Sequence, residues 1–364
     1  MRVALVNNLH KETGMGRYAF ELYDALKDKC DIEHVFFNYS ERTMQRVDGV
    51  TEEIIAKSVH VPLIDNKPFF WYRLRNKIPE FDVYHITNQN IAFLARKNTV
   101  ITCHDIFGYY RNRLNMFEFH GRKSLYSGVN RAAKIIVDSK QGKEDVLYHY
   151  KISGDKVVVT PLAVSRRVFR KISIDGLKKD SSQPIILHVG PEAVHKNVAS
   201  LIRALYELRK AGLNVKLIRV GNKSKEIARI INRYRLESNV EYRNNVNDEE
   251  LVELYNMADV FVFPSFYEGF GLPVLEAMAC GCPVVTSNTP SLLNVAGEAA
   301  ITVDPKDGDG LTRAIMAVLT DRELRKRLID SGMARVELFS WDKTAKETLK
   351  IYEEVIQAGK RLDG

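Results

Sequence analysis

No stretch of this chain approaches the ~20 consecutive apolar residues that a bilayer-spanning helix needs, so no such helix is expected. The opening MRVALVNN lacks the long apolar run and small-residue cleavage site of a secretory leader. Cysteine is scarce: Cys30, Cys103, Cys280 and Cys282 fit no zinc spacing, and a disulfide framework is implausible in a chain of 364 residues. These absences point to a reduced, cytoplasmic protein. No solenoid-period repeat and no low-complexity tract occurs. No histidine pair at helical spacing and no Gly-x-Ser-x-Gly elbow is present, so His104-Asp105 reads as neither a metal site nor a triad. Neither metal nor cofactor is expected.

What is present is ordinary globular material, 45% apolar and 27% charged. The length suits two domains. The net charge of +8 is uneven: residues 67–179 hold 22 Lys/Arg against 9 Asp/Glu. Such a face could meet donor phosphates, an anionic membrane or nucleic acid. Every groove-reading motif is missing, which leaves no nucleic-acid reading. Arg73, Arg75 and Lys77 stand beside Phe69, Phe70 and Trp71, a grouping that suits a lipid interface. Peripheral contact with the inner face of the cell membrane is therefore a second expectation.

Short β-rich apolar runs alternate with helix-period segments, which implies parallel sheets covered on both faces. Strands are expected at Arg2–Val6, Ile32–Phe37, Val83–Ile86, Thr99–Thr102, Lys134–Val137 and Lys156–Val159. They recur at Pro184–Val189, Val215–Val220, Val260–Phe263, Pro283–Thr286 and Ala300–Val303. Helices are expected at Gly16–Asp28, Asn112–Ala132 and Gln141–Tyr150, and in the second half from Val198 onward. The polar, aperiodic stretch Thr160–Gln183 reads as a linker. The expected layout is an N-terminal domain over 1–165, a second domain over 166–340, and a C-terminal helix over 341–364 that packs back on the first domain.

The most informative segment is Phe261–Ser287, FVFPSFYEGFGLPVLEAMACGCPVVTS. A strand ends at Phe263, a glycine loop follows, and Pro273 sits in a first helical turn where its missing N–H costs nothing. Gly281 closes the helix. A loop at the carboxyl edge of a parallel sheet is where doubly wound folds bind ligands. The amides of Phe270, Gly271 and Leu272 can face an anion there, and Gly269 and Gly271 admit a ligand close to the backbone. Glu276, read in the first turn, complements the helix dipole. Glu268 has no such structural role and suits sugar hydroxyls. Gly14-x-Gly16 with Ala19 weakly resembles a dinucleotide fingerprint, but its acidic partner, Asp31 or Glu33, comes early. Cys280-x-Cys282 straddles a helix end and reads as packing.

The spacing EGFGLPVLE resembles the E-x7-E signature of family-4 glycosyltransferases, retaining enzymes of the GT-B architecture. Asn247–Ser265, Asn294–Pro305, Val189-Gly190 through Lys196-Asn197, Gly14–Tyr18 and Thr102–Asp105 extend the resemblance over nearly the whole chain. It implies an α/β fold of two Rossmann-like domains facing across a cleft. It also implies a hexosyltransferase that uses a nucleoside-diphosphate sugar and a saccharide or lipid-linked acceptor, with no metal. Carried over, Glu268 contacts the donor sugar and Glu276 the ribose. The Gly269–Leu272 loop binds sugar hydroxyls or the β-phosphate, and Lys196 neutralises the diphosphate. Backbone near Val246 receives the base, Gly14 and Gly16 admit the phosphates, and His104 lies beside the reacting carbon. The family commonly has arginine after the glycine equivalent to Gly190. Pro191 stands there, and His195 is a candidate substitute. The other reading kept is a non-catalytic sugar-nucleotide sensor of the same fold.

Overall fold

The computed structural model describes residues 1–9, 13–37, 59–61, 78–106, 128–173 and 183–363. The chain forms two compact units, Met1–Leu162 with Trp341–Gly364, and Ala163–Ser340. The helix expected at Asn112–Ala132 falls largely outside the described residues; its described end, Val129–Arg131, is a short 3-10 turn. The basic and aromatic residues 67–77 also lie outside them.

The first unit is built on a parallel sheet in the order β3-β2-β1-β4-β5-β6-β7. Its strands are β1 Arg2–Asn7, β2 Asp31–Phe37, β3 Val59–Val61, β4 Val83–Ile86, β5 Thr99–Cys103, β6 Lys134–Val137 and β7 Val157–Val159. The central strands are buried throughout, β4 as Val-Tyr-His-Ile and β5 as Thr-Val-Ile-Thr-Cys. Near-continuous burial is what helices on both faces of a parallel sheet impose. Helix α1 (Gly14–Leu26) buries Tyr18, Leu22 and Leu26, one face at four-residue spacing. Helix α2 spans Lys140–Tyr150 and is capped by Ser139.

The second unit has a parallel sheet ordered β10-β9-β8-β11-β12-β13. Its strands are β8 Ile185–Val189, β9 Lys216–Val220, β10 Val240–Arg243, β11 Val260–Phe263, β12 Val284–Ser287 and β13 Ile301–Val303. The helices are α3 Val198–Lys210, α4 Lys225–Tyr234, α5 Asp248–Met257, α6 Leu272–Ala279, α7 Pro290–Ala296, α8 Gly308–Thr320 and α9 Arg322–Val336. Leu201, Leu205 and Leu208 of α3 and Leu311, Ile315 and Val318 of α8 join Ile186, Leu217, Val260 and Val262 in one core. Each such side chain contributes roughly 1.5–3 kcal/mol on burial.

Three sequence expectations change. Strands β3 and β10 and helices α7 and α9 had no sequence assignment. Helix α1 starts at Gly14, two residues before its expected start, because Thr13 caps it and accepts from the Gly16 amide at 3.0 Å. The linker reading fails over its described first half: Leu162, Ala163, Val164 and Phe169 are buried, with Phe169 edge-on to Tyr255.

The last helix, α10 (Trp341–Asp363), belongs to the first unit and packs against α1. It buries Ile351, Tyr352 and Val355. Tyr352 begins a buried hydrogen-bonded chain through the sheet. Its hydroxyl meets His85 Nδ1 at 2.6 Å, His85 Nε2 meets Thr102 Oγ1 at 2.8 Å, and Thr102 Oγ1 meets the Tyr18 hydroxyl at 2.9 Å. Burial first, and His104 second, push the His85 pKa down to about 3, so the ring is neutral and bridges as one donor and one acceptor. The chain fixes α10 and α1 to strands β4 and β5. Among the described residues, no helix is long and apolar enough to cross a membrane.

Replacing Tyr352 with phenylalanine strands a buried ring nitrogen of His85. The expected cost is about 1–3 kcal/mol, read as an earlier urea midpoint by tryptophan fluorescence. An unchanged midpoint would show that the chain carries no stability.

Candidate functional site

In the second unit, β8 sits beside β11, and the chain winds away from this pair in both directions. That adjacency is a topological switch point, where the loops after neighbouring strands part and leave a crevice. The loop after β8 is Gly190–Asn197, and the loop after β11 is Pro264–Gly271. The two expected site segments, 72 residues apart between Lys196 and Glu268, therefore meet. Lys196 Nζ lies 2.7 Å from Glu268 Oε1 and 2.8 Å from Oε2. It also stands 5.0 Å from the centre of the Phe263 ring. The pair is largely but not wholly buried, with 14% and 11% side-chain exposure, so a ligand can still reach it.

Backbone bonds hold the two loops together. Phe266 donates its amide to the His195 carbonyl at 2.7 Å. Asn197 occupies a left-handed conformation, φ 56°, which asparagine tolerates better than most residues. Its amide nitrogen reaches the carbonyls of Pro264 at 3.0 Å and Pro305 at 2.8 Å. Ser291, on α7, donates to the Glu268 carbonyl at 2.5 Å. Sequence reading missed Asn197 and Ser291 as anchors, because their partners are backbone oxygens distant in sequence.

Helix α6 begins at Leu272 behind Gly271, whose φ of 120° requires glycine. A Cβ at Gly271 would also come within 2.7 Å of Leu292. Among the described residues, the amides of Phe270, Gly271 and Leu272 find no partner. They leave the start of α6 with donors for an anion. Phe270 itself is buried against Phe339.

Glu276 needs a correction. It lies in the second turn of α6, not the first, so dipole complementation does not explain it. It is 6% exposed and accepts from the buried Tyr255 hydroxyl at 2.9 Å. Cys280, one turn on, has its thiol pushed up to about 12, by burial first and by Glu276 second, in keeping with a packing role. Val246 lines a groove of about 380 Å³ with Ile185, Ile218, Leu254 and Met257, along α5.

In the first unit, His104 follows β5 and Asp138 follows β6. His104 Nδ1 is 2.7 Å from Asp138 Oδ2, and Nε2 is 3.0 Å from the Thr87 carbonyl. Both partners are acceptors, so a ring that makes both bonds carries both protons. Burial works against the imidazolium. The Asp138 charge and the bonds to Asp138 and Thr87 outweigh it and raise the pKa above 6.5. The two acceptors on its ring thus favour the imidazolium form of His104. Its ring packs edge-on against Tyr18 at 4.7 Å. The Gly16 amide is taken by Thr13, whereas a side chain at Gly14 would meet nothing within 4 Å. Gly14 thus faces open space, and Gly16 is buried in α1.

Among the described residues, no cluster of three or more His, Cys, Asp and Glu could hold a metal. One Asp-x-Asp string occurs, Asp307-Gly308-Asp309. Asp307 caps α8 through the Gly310 amide at 2.8 Å.

Two family models match the chain. "Glycosyl transferases group 1" covers residues 169–335, and "Glycosyltransferase Family 4" covers residues 13–167. The chain is 28% identical to O-antigen chain mannosyltransferase B of Escherichia coli, over 94% of this chain and 96% of that one. It is 33% identical to the MMP alpha-(1->4)-mannosyltransferase of Mycolicibacterium hassiacum, over 61% of this chain and 54% of the relative. Among solved structures, Anabaena HepE in complex with UDP and glucose superposes with TM-score 0.80 at 17% identity, covering 97% of this chain and all of that one. Sucrose-phosphate synthase from Thermosynechococcus elongatus gives 0.78 at 20% identity, covering 98% and 100%. With two parallel-sheet Rossmann-like units and both family halves matched in order, the chain belongs to the family-4 (group 1) glycosyltransferases of the GT-B architecture.

Proposed function

We propose that this glycosyltransferase moves a mannosyl group from a nucleoside-diphosphate donor to a saccharide acceptor, with retention at the anomeric carbon. The observation that carries the donor assignment is the Lys196–Glu268 pair at the switch point, beside the unpartnered amides of α6. The sugar is argued from the relatives named as mannosyltransferases, one of them matched over nearly its full length.

In this reading the diphosphate is the leaving group, and its developing charge is the main barrier to be lowered. Lys196 transfers from Glu268 to the phosphate oxygens as the donor enters. Glu268, released from the cation, accepts hydrogen bonds from the donor sugar. The Phe270, Gly271 and Leu272 amides stabilise the same negative charge or hold sugar hydroxyls. Glu276, oriented by Tyr255, takes the ribose. His104, whose ring protons are held by Asp138 and the Thr87 carbonyl, acts on the reacting sugar through its charge. No metal is required by this division of work.

Glu268→Gln should lower turnover by about 10²–10³-fold, the usual effect of removing one site group that acts in the transition state. Its affinity for UDP or GDP should be unchanged or higher, because Lys196 is freed. Near wild-type turnover would remove Glu268 from the site. Lys196→Ala should weaken the nucleoside diphosphate by about tenfold or more, since bonds to charged groups are worth about 1.5–3 kcal/mol, and leave the nucleoside unaffected. Equal losses for both would assign Lys196 a structural role.

His104 should keep both ring protons above pH 6.5 in nitrogen-15 spectra. Its folded pKa is raised, so the stability gained from Asp138 is complete below the unfolded value and is lost as pH rises through the folded one. In Asp138→Asn, burial dominates and the midpoint should fall below 6.5. A midpoint that does not move would show that Asp138 does not hold the charge.

A further inference from the structure

Arg219, on β9, is fully buried. Burying a guanidinium costs several kcal/mol unless its bonds compensate, so its neighbours indicate what it is retained for. Nη2 donates to the Gly190 carbonyl at 3.0 Å and lies 3.7 Å from Glu192 Oε1. Nη1 bonds to His188 Nδ1. Burial, then the charges of Arg219 and Lys196, push His188 well below its ordinary range, so this ring is neutral and its Nδ1 accepts. Glu192 accepts in turn from the Tyr242 hydroxyl at 2.6 Å, and from the Ser224 amide. One cluster thus ties the carboxyl ends of β8, β9 and β10.

Gly190 is held on both sides. Its amide donates to the Val220 carbonyl at 3.0 Å, and its carbonyl is taken by Arg219. Its φ of 132° is open only to glycine, and Gly221, at 130°, lies so close that a Cβ there would stand 2.5 Å from the Gly190 oxygen. The Lys196 side chain runs alongside, its Cε 4.0 Å from where a Gly190 Cβ would sit. A carbonyl oxygen aimed at a diphosphate would repel it. Arg219 turns the Gly190 oxygen into the protein instead. The loop, which has Pro191 where the family commonly has an arginine, is supported by a cation one strand away.

We propose that Arg219, with Glu192 and Tyr242, is the positioning device of the diphosphate loop: it fixes Gly190 so that Lys196 is delivered toward the anion. The proposal rests on the donor-site reading above. Arg219 is fully buried and acts through the Gly190 carbonyl, so it is a positioning residue.

The test compares Arg219→Met, Arg219→Lys and Tyr242→Phe with the wild type by two readouts. The first is hydrogen exchange of amides 192–196 in the free protein, with the amides of α8 as control. The second is calorimetric affinity for inorganic pyrophosphate, UDP and GDP against the matching nucleosides. The loop amides should exchange at least tenfold faster in both Arg219 variants, with α8 unchanged. Affinity for the phosphorylated ligands should fall ten- to a hundredfold and nucleoside affinity should hold. Lysine should fail to rescue, because it cannot fork between the Gly190 carbonyl and His188. Tyr242→Phe should shift both readouts in the same direction by about threefold, and it decides the matter if the Arg219 variants do not fold. Loop exchange equal to wild type in the folded variants overturns the proposal. If the wild type binds none of the phosphorylated ligands, the donor-site reading fails; loop exchange still decides whether Arg219 sets the loop.

Discussion

The contact between Lys196 and Glu268 is the interaction on which the second unit's site depends. It forms because β8 and β11 are neighbours although three helices and two strands intervene in sequence. Parallel strand order brings their following loops together at the same edge of the sheet. Asn197 and the Phe266 amide then fix the spacing between the loops. A cation and a carboxylate left part-exposed in a crevice form a weak lock. In the proposed function, an incoming polyanion competes for this cation and the carboxylate is freed for hydroxyl groups.

The first unit handles its polar residues differently. His104, Asp138, His85, Thr102, Tyr18 and Tyr352 are buried and bonded to one another or to backbone. Such networks are costly when half satisfied and rigid when complete. Asp138 and the Thr87 carbonyl hold the His104 ring in one orientation, while the second Asp138 oxygen finds no partner among the described residues. The helix that closes the His85 chain comes from the far end of the sequence. The first unit is thus completed only after the second has been synthesised.

Much of this was legible in the sequence. Apart from β3 and β10, the strands of both sheets announced themselves as β-branched apolar runs, and α6 by Pro273 and Gly281. Strand β10, Val-Glu-Tyr-Arg, was not legible because it lies at a sheet edge and is only partly buried. Helix α9 was hidden by its charge, which leaves little apolar face. Glu268 and the glycine loop stood out by their local chemistry and Lys196 through the family resemblance, and the fold brings Lys196 against Glu268. Asp138, Asn197 and Arg219 did not stand out, because each acts on a partner brought near only by strand order. Arg219 in particular reads as an interruption of an apolar strand until its partner, the Gly190 carbonyl, is located.

The exchange of Lys196 from Glu268 to a donor diphosphate is the central claim, and a structure of the wild-type chain with a bound nucleoside diphosphate tests it most directly. The account predicts Lys196 Nζ at about 2.7–2.9 Å from a phosphate oxygen, with the Glu268 carboxylate released from its two bonds to that nitrogen. A diphosphate bound elsewhere, with the Lys196–Glu268 pair intact, would contradict it.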